Sequence, residues 1–204
     1  PYKENYSKDK ASAASLWVSE FFKKSKFKND NIIYGNTKSK KFLTSNYKNI
    51  VLKNLRSKFR SSTKEYCNKL VKEIKSKNYD LIEIHNRPLI LFNLFGKIQG
   101  RFILYFHNDP LSMNGSKSIQ DRLKILKSVE KIIFVSEWAR DRFFVDIDQK
   151  LQTKTEIVYP SVNKQKKIKK KQVIVFVGKL NHSKGYDIFG KTVIKILNKF
   201  SKLS

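Results

Sequence analysis

The chain has 204 residues, 40% of them hydrophobic and 13% aromatic, enough for a packed core and too many for a disordered segment. Its apolar runs all fall short of the roughly 18 residues that a membrane-spanning helix needs. The formal net charge is +27, from 44 Lys+Arg against 17 Asp+Glu, and arginine stands at only seven positions, so the excess is almost wholly lysine. In chain order, Ala11–Ser25 carries Leu16, Trp17, Phe21 and Phe22 at helical spacing. Asn31–Gly35 and Asn49–Lys53 read as short strands. Thr63–Ser76 is a helix whose apolar face includes Cys67 beside Leu70, Val71 and Ile74, as a buried thiol rather than a nucleophile. Tyr79–His85 is a strand, and Arg87–Ile98 a buried helix with Pro88 in its first turn. Arg101–His107 is a strand, Ser118–Val129 a helix and Lys131–Ser136 a strand. Glu137–Phe144 is a helix capped by Ser136, and Thr155–Pro160 a strand. After a lysine-rich run over 164–171, Val173–Val177 is a strand ending at Gly178, and Phe189–Ser204 a helix.

Strands alternating with helices predict an α/β fold, a doubly wound, Rossmann-like parallel sheet with both faces covered. The lysine run predicts a solvated linker and a boundary near residue 163. The first domain is then 1–163, and 164–204 holds the linker and the first strand–helix unit of a second. A chain that opens at Pro1 inside a loop, and closes after one strand and one helix of its second domain, is expected to be incomplete at both ends. A lone cysteine excludes an internal disulfide, consistent with a reducing compartment. The three histidines, His85, His107 and His182, lack neighbours at metal-ligand spacing, so no metal is expected.

Ligands of open parallel sheets bind beyond the carboxyl ends of the strands. Those ends carry Ile84-His85-Asn86-Arg87-Pro88, Phe106-His107-Asn108-Asp109-Pro110, Val135-Ser136-Glu137-Trp138 and Gly178-Lys179-Leu180-Asn181-His182-Ser183-Lys184-Gly185. Each is also explicable as turn chemistry, Asn-Asp-Pro and Ser at a helix start above all. Lys179 and Lys184 are either solvated loop charges or cations placed for an anion at a strand end and helix start. His182, between them, is read as a loop residue without a role.

The segment Val173–Phe189 resembles the opening of the second domain in family 4 glycosyltransferases of the GT-B fold, where a strand ends in Gly-Arg-Leu and Lys-Gly begins a helix. Tyr79–Pro88, Phe102–Pro110, Lys131–Phe143 and Thr155–Asn163 are similar, in order and spacing, to segments of that family's first domain. The resemblance implies transfer of a sugar from a nucleotide-diphosphate donor to a glycan or glycolipid acceptor, with retained anomeric configuration and without metal. It places His107, Lys179 and Lys184 in catalysis. Gly178, Lys179, Lys184, Gly185 and Ser136 fall on the donor-phosphate side, and His85, Asn86, Arg87, Asn108 and Asp109 on the acceptor side. Lys179 replaces the family's usual arginine and loses its bidentate fork. Ser161 replaces a frequent asparagine, the glycine-rich loop near the start is absent, and the family's paired glutamates lie past residue 204, so the chain alone is expected to be inactive.

The setting implied is cytoplasmic assembly of bacterial lipopolysaccharide or envelope polysaccharide, with peripheral attraction of the lysines to an anionic membrane. Charge-driven nucleic-acid binding is the alternative class. It is disfavoured because aromatics sit in apolar runs and arginine is scarce. An inactive glycosyltransferase-like scaffold is the third.

Overall fold

The computed structural model describes residues 2–52, 61–162 and 173–200. The chain divides into two units, Pro1–Ser161 and Val162–Ser204. In the first, α1 (Ala13–Lys24) precedes β1 (Ile33–Gly35) and β2 (Tyr47–Asn49), a parallel two-stranded pair. Then follow α2 (Ser62–Ile74), β3 (Leu81–His85), α3 (Pro88–Leu94), β4 (Arg101–Phe106), α4 (Ile119–Ser128), β5 (Lys131–Phe134), α5 (Glu137–Phe143) and β6 (Thr155–Ile157). In the second unit α6 (Tyr186–Lys199) is the one helix of more than a single turn among the described residues.

Serine side chains start four of the helices: Ser12, Ser61, Ser118 and Ser136 each accept a backbone N–H from three residues on. Each cap is worth about 1 kcal/mol. Pro88 opens α3, where its missing N–H costs nothing.

The fold is α/β: β3, β4, β5 and β6 form one parallel sheet in that order, in sequence order throughout. The reversal of strand order that defines a doubly wound sheet does not occur among the described strands. Sequential strands joined by right-handed crossovers place their helices on one face. There Ile84, Phe102, Leu104, Phe106, Ile132 and Phe134 meet apolar residues of α2 to α5, Cys67 among them. The rings of Phe106, Phe134 and Phe143 lie 5.5 to 5.6 Å apart.

The opposite face corrects the expectation of strands buried on both sides. It presents Leu81, Glu83, His85, Ile103, Tyr105 and Ile133, of which Leu81 and Glu83 are exposed. Over it lies α1, through Trp17 against His85, Tyr105 and His107. The alternation in Leu81-Ile82-Glu83-Ile84-His85 already has this half-covered pattern.

The apolar run 173–177, expected as a buried strand, pairs with no other strand among the described residues, and Val177 is 91% exposed. A strand exists through its ladder, and no second strand lies beside this run among the described residues. The expected strand at 49–53 pairs instead over Tyr47–Asn49. The lysine-rich run 164–171 lies outside the described residues.

Arg122 is 2% exposed and holds the long connection after β4. Its guanidinium donates to the carbonyls of Lys117 at 2.9 Å and Val145 at 2.6 Å, so one side chain ties that connection to the end of α5. Replacement by Met, which keeps the apolar stem, leaves these carbonyls unserved. Arg122→Met is expected to cost about 2–4 kcal/mol in urea denaturation; a loss below about 1 kcal/mol would show that the guanidinium does not fix the loop.

Candidate functional site

Two residues, Asn86 and Arg87, turn β3 into α3. So abrupt a turn takes Asn86 into left-handed backbone, φ 56°, which asparagine tolerates better than most side chains. The backbone N–H of Asn86 donates to the carbonyl of Tyr105 at 2.8 Å, and its buried side-chain Oδ1 accepts the N–H of His107 at 2.7 Å. A side chain thereby continues the β3–β4 ladder one step past its last strand pair, and fixes His107 as it leaves β4.

His107 Nε2 lies 3.0 Å from His85 Nδ1, a hydrogen bond between the rings. On the far side of His85, Nε2 is 3.7 Å from a carboxylate oxygen of Glu83. The Tyr105 ring stacks on His85 at 4.4 Å and its hydroxyl donates to Glu83 at 3.4 Å. Trp17 meets the His107 ring edge-on at 5.0 Å. Burial pushes His107 down to about 3, with the neighbouring His85 adding to the effect. Burial also lowers His85, against the opposing pull of Glu83. Both rings are neutral at pH 7.

His107 opens onto a pocket of about 240 Å³ with Glu4, Trp17, Asn86 and Asn108 in its wall. Among the described residues no lysine or arginine lines it. The single charged residue in the wall, Glu4, has one oxygen taken by Arg87 at 2.9 Å. The wall therefore offers amide donors and acceptors, a neutral imidazole and an indole face, a set suited to hydroxyl groups rather than to phosphate.

The other predicted residues are distributed unevenly. Arg87 is turned to Glu4 and to the carbonyl of Tyr2, 3.2 Å away, so it braces the N-terminal segment and lies outside the pocket wall. Asp109 pairs through both oxygens with Arg142, at 3.3 and 3.2 Å, and caps the short turn Pro110–Ser112. Ser136 caps α5 by accepting the N–H of Ala139, one residue beyond Val135 of the pocket wall.

Gly178, Lys179, Lys184 and Gly185 belong to the second unit. There Asn181 shapes the loop, its side chain accepting the N–H of Lys184 at 3.1 Å, and Gly185 takes φ 70° as the chain enters α6. Gly178 admits the ring of Phe176, which a Cβ would meet at 3.2 Å. Lys179 and Lys184 are exposed and have no acidic partner among the described residues. His182 lies 3.4 Å from Asp187.

Sequence reasoning missed Trp17, Glu4, Glu83 and Arg142. Glu83 had a signal, two positions before His85 and hence on the same face; the others meet the site only through tertiary contacts. Among the described residues no three His, Cys, Asp or Glu side chains are grouped to hold a metal ion. Comparison with protein-family models, curated proteins and solved structures finds no match for this chain.

The neutral histidines give stability a defined pH dependence. A histidine whose folded pKa lies below its unfolded value, near 6.5, takes up a proton in the unfolded chain first. Stability is therefore full above pH 6.5 and is lost as pH falls toward the folded value. His107 alone is expected to cost about 2 kcal/mol between pH 6.5 and 5, an interval above the ordinary carboxylate range. Urea midpoints at these two pH values measure it, with the His85→Asn/His107→Asn double variant expected to lose most of the slope. A flat wild-type response would mean that the pair is protonated in the folded state.

Proposed function

We propose that the chain is a sugar-transferring enzyme of GT-B type, in which the pocket at His107 receives the uncharged, hydroxyl-bearing part of the substrates and Lys179 and Lys184 hold the diphosphate of a nucleotide-sugar donor. The carrying observation is the division of charge. In a chain of net charge +27, the pocket at the carboxyl ends of β3 and β4 has no cation in its wall among the described residues, while two exposed lysines flank a loop at a helix start.

Diphosphate departure builds negative charge on the leaving oxygens, and ammonium groups beside a helix N-terminus stabilise that charge more as it grows. The two lysines have this role in the proposal. Gly185 is needed there for its left-handed backbone, and Gly178 for the close approach of Phe176. A hydroxyl in the pocket meets the imidazole of His107 and the side-chain amide of Asn86, whose Nδ2 has no partner among the described groups. Asn108 adds an exposed amide at the rim. His85 acts through His107, while Arg87 and Asp109 hold neighbouring segments in place. Ser136 supports the same rim by fixing the start of α5.

Retention of anomeric configuration, reaction without metal, and a lipopolysaccharide or envelope-polysaccharide acceptor extend the proposal by the family resemblance alone. No helix among the described residues is long and apolar enough to cross a membrane. A lipid-linked acceptor would be reached from the membrane surface, where each well-placed lysine contributes about 1 kcal/mol. Co-sedimentation with anionic and neutral vesicles at two salt concentrations measures that contribution. Salt-sensitive binding to the anionic vesicles alone is expected, and equal weak binding to both removes the membrane from the proposal.

The enzymatic proposal is tested by titrating the chain with octyl glycosides and with inorganic pyrophosphate while following the resonances of His107, Asn86 and the 178–185 loop. Glycosides are expected to move the pocket resonances and pyrophosphate those of the loop. His107→Ala should abolish the first response, and Lys184→Ala should weaken pyrophosphate binding about tenfold. Pyrophosphate in the pocket, or no response of the loop to it, would overturn the proposal.

A further inference from the structure

We propose that Glu83 and His85 are positioning residues that set the tautomer of His107, with its proton on Nε2 and Nδ1 left as a bare acceptor. The inference deepens the proposed function: it names the atom that a substrate hydroxyl meets, and its chemistry can be checked without any substrate.

A neutral imidazole has one N–H and one lone pair. The 3.0 Å contact between His85 Nδ1 and His107 Nε2 requires one ring to donate and the other to accept. If His85 donated from Nδ1, its Nε2 would turn a lone pair toward the Glu83 carboxylate 3.7 Å away, an unfavourable meeting of two acceptors. If His107 donates from Nε2, then His85 carries its proton on Nε2 and points that N–H at the carboxylate. The negative charge of Glu83 selects the second arrangement, as carboxylates behind imidazoles do generally.

The fold holds each member of this chain. Glu83 and His85 are two apart on β3 and share a face of the sheet, and Tyr105 is the ladder partner of His85 on β4. The Tyr105 hydroxyl donates to one Glu83 oxygen at 3.4 Å and leaves the other toward His85. Asn86 fixes the backbone of His107 independently, through its N–H. The next acid on this face, Glu156, is taken by Lys131 at 2.8 Å, so Glu83 is the carboxylate that acts on the rings. Burial keeps both imidazoles uncharged, the condition under which the count of one donor and one acceptor holds.

The consequence lies at the pocket. His107 Nδ1 has no hydrogen-bond partner among the described residues, and His107 is part of the pocket wall. The wall also contains a donor without an acceptor among the described residues, the Asn86 amide nitrogen. A hydroxyl that gives its proton to Nδ1 keeps its lone pairs for such a donor or for an electrophile. The opposite tautomer would present a second donor and would tie up the oxygen lone pair that transfer requires.

The test is long-range ¹H–¹⁵N correlation spectroscopy of the three histidine rings in the ¹⁵N-labelled chain at pH 7.5, with exposed His182 as internal reference. His85 and His107 are expected in the Nε2–H form. In Glu83→Leu, His107 should become a mixture, with a fraction of its proton on Nδ1 that the wild type lacks. Glu83 is exposed, so this variant is expected to keep the wild-type amide spectrum away from the pocket. His107 carrying its proton on Nδ1 in the wild type overturns the assignment, and an unchanged tautomer in Glu83→Leu overturns the role of Glu83. The expected tautomers together with no response to any glycoside would leave this inference standing and remove the sugar-binding proposal instead.

Discussion

The N–H of His107 bonded to the side chain of Asn86 is the interaction on which the candidate site depends. Beyond Phe106 the backbone of β4 has no strand beside it, because β3 has already turned toward α3. Without a partner, that N–H would face water or a buried void, and the imidazole after it would sweep a wide arc. Asn86 supplies the missing acceptor from a left-handed turn, at 2.7 Å. Few other side chains serve: aspartate has the reach but brings charge to a buried position, and glycine has the backbone freedom without the oxygen. The site is thus a by-product of how one strand is made to stop.

Electrostatics adds a second constraint. A surface this rich in lysine attracts anions over much of its area, yet among the described residues no lysine or arginine lines the pocket at His107. Two ion pairs involve residues next to that wall or close in sequence to it. Arg87, adjacent in sequence to Asn86, is drawn off by Glu4, and Arg142 is neutralised by Asp109. Both pairs are half-buried, and their effect is positional: Arg87 is turned to the N-terminal segment and Arg142 is held at the turn Pro110–Ser112.

Much of the frame was legible in the sequence because strand ends announce themselves: an apolar run gives out at His85, at His107 and at Ser136, and serine caps mark the helices that follow. The division of labour behind those ends was not legible. His85-Asn86-Arg87-Pro88 and His107-Asn108-Asp109-Pro110 read as two copies of one turn, yet Asn86 is buried as a clasp and Asn108 stands exposed at a rim. The difference comes from the order of the ladder, in which β3 ends one residue before its neighbour and needs a substitute. Trp17 and Glu4 were invisible for a similar reason, since nothing local to them refers to residues some 80 positions away. The run 173–177 failed in the opposite way: its composition is that of a strand, but composition cannot supply a ladder partner.

The half-covered sheet explains why the histidines lie where they do. On the helix-packed face, a residue at the level of His85 or His107 would join Phe106 and Phe134 in a fully apolar core, and an imidazole there would have neither an acid to orient it nor a pocket to serve. The opposite face is closed at its upper end by one indole and open at its lower end, where Glu83 meets solvent. A carboxylate in water keeps its charge at small cost, whereas the same group beside His107 would need a large desolvation penalty to be overcome. Placing the Glu83 charge at the exposed end and the neutral acceptor at the pocket, with His85 between them, orients His107 without a carboxylate in direct contact with its ring. A sheet wrapped on both faces at this point would have lost that gradient.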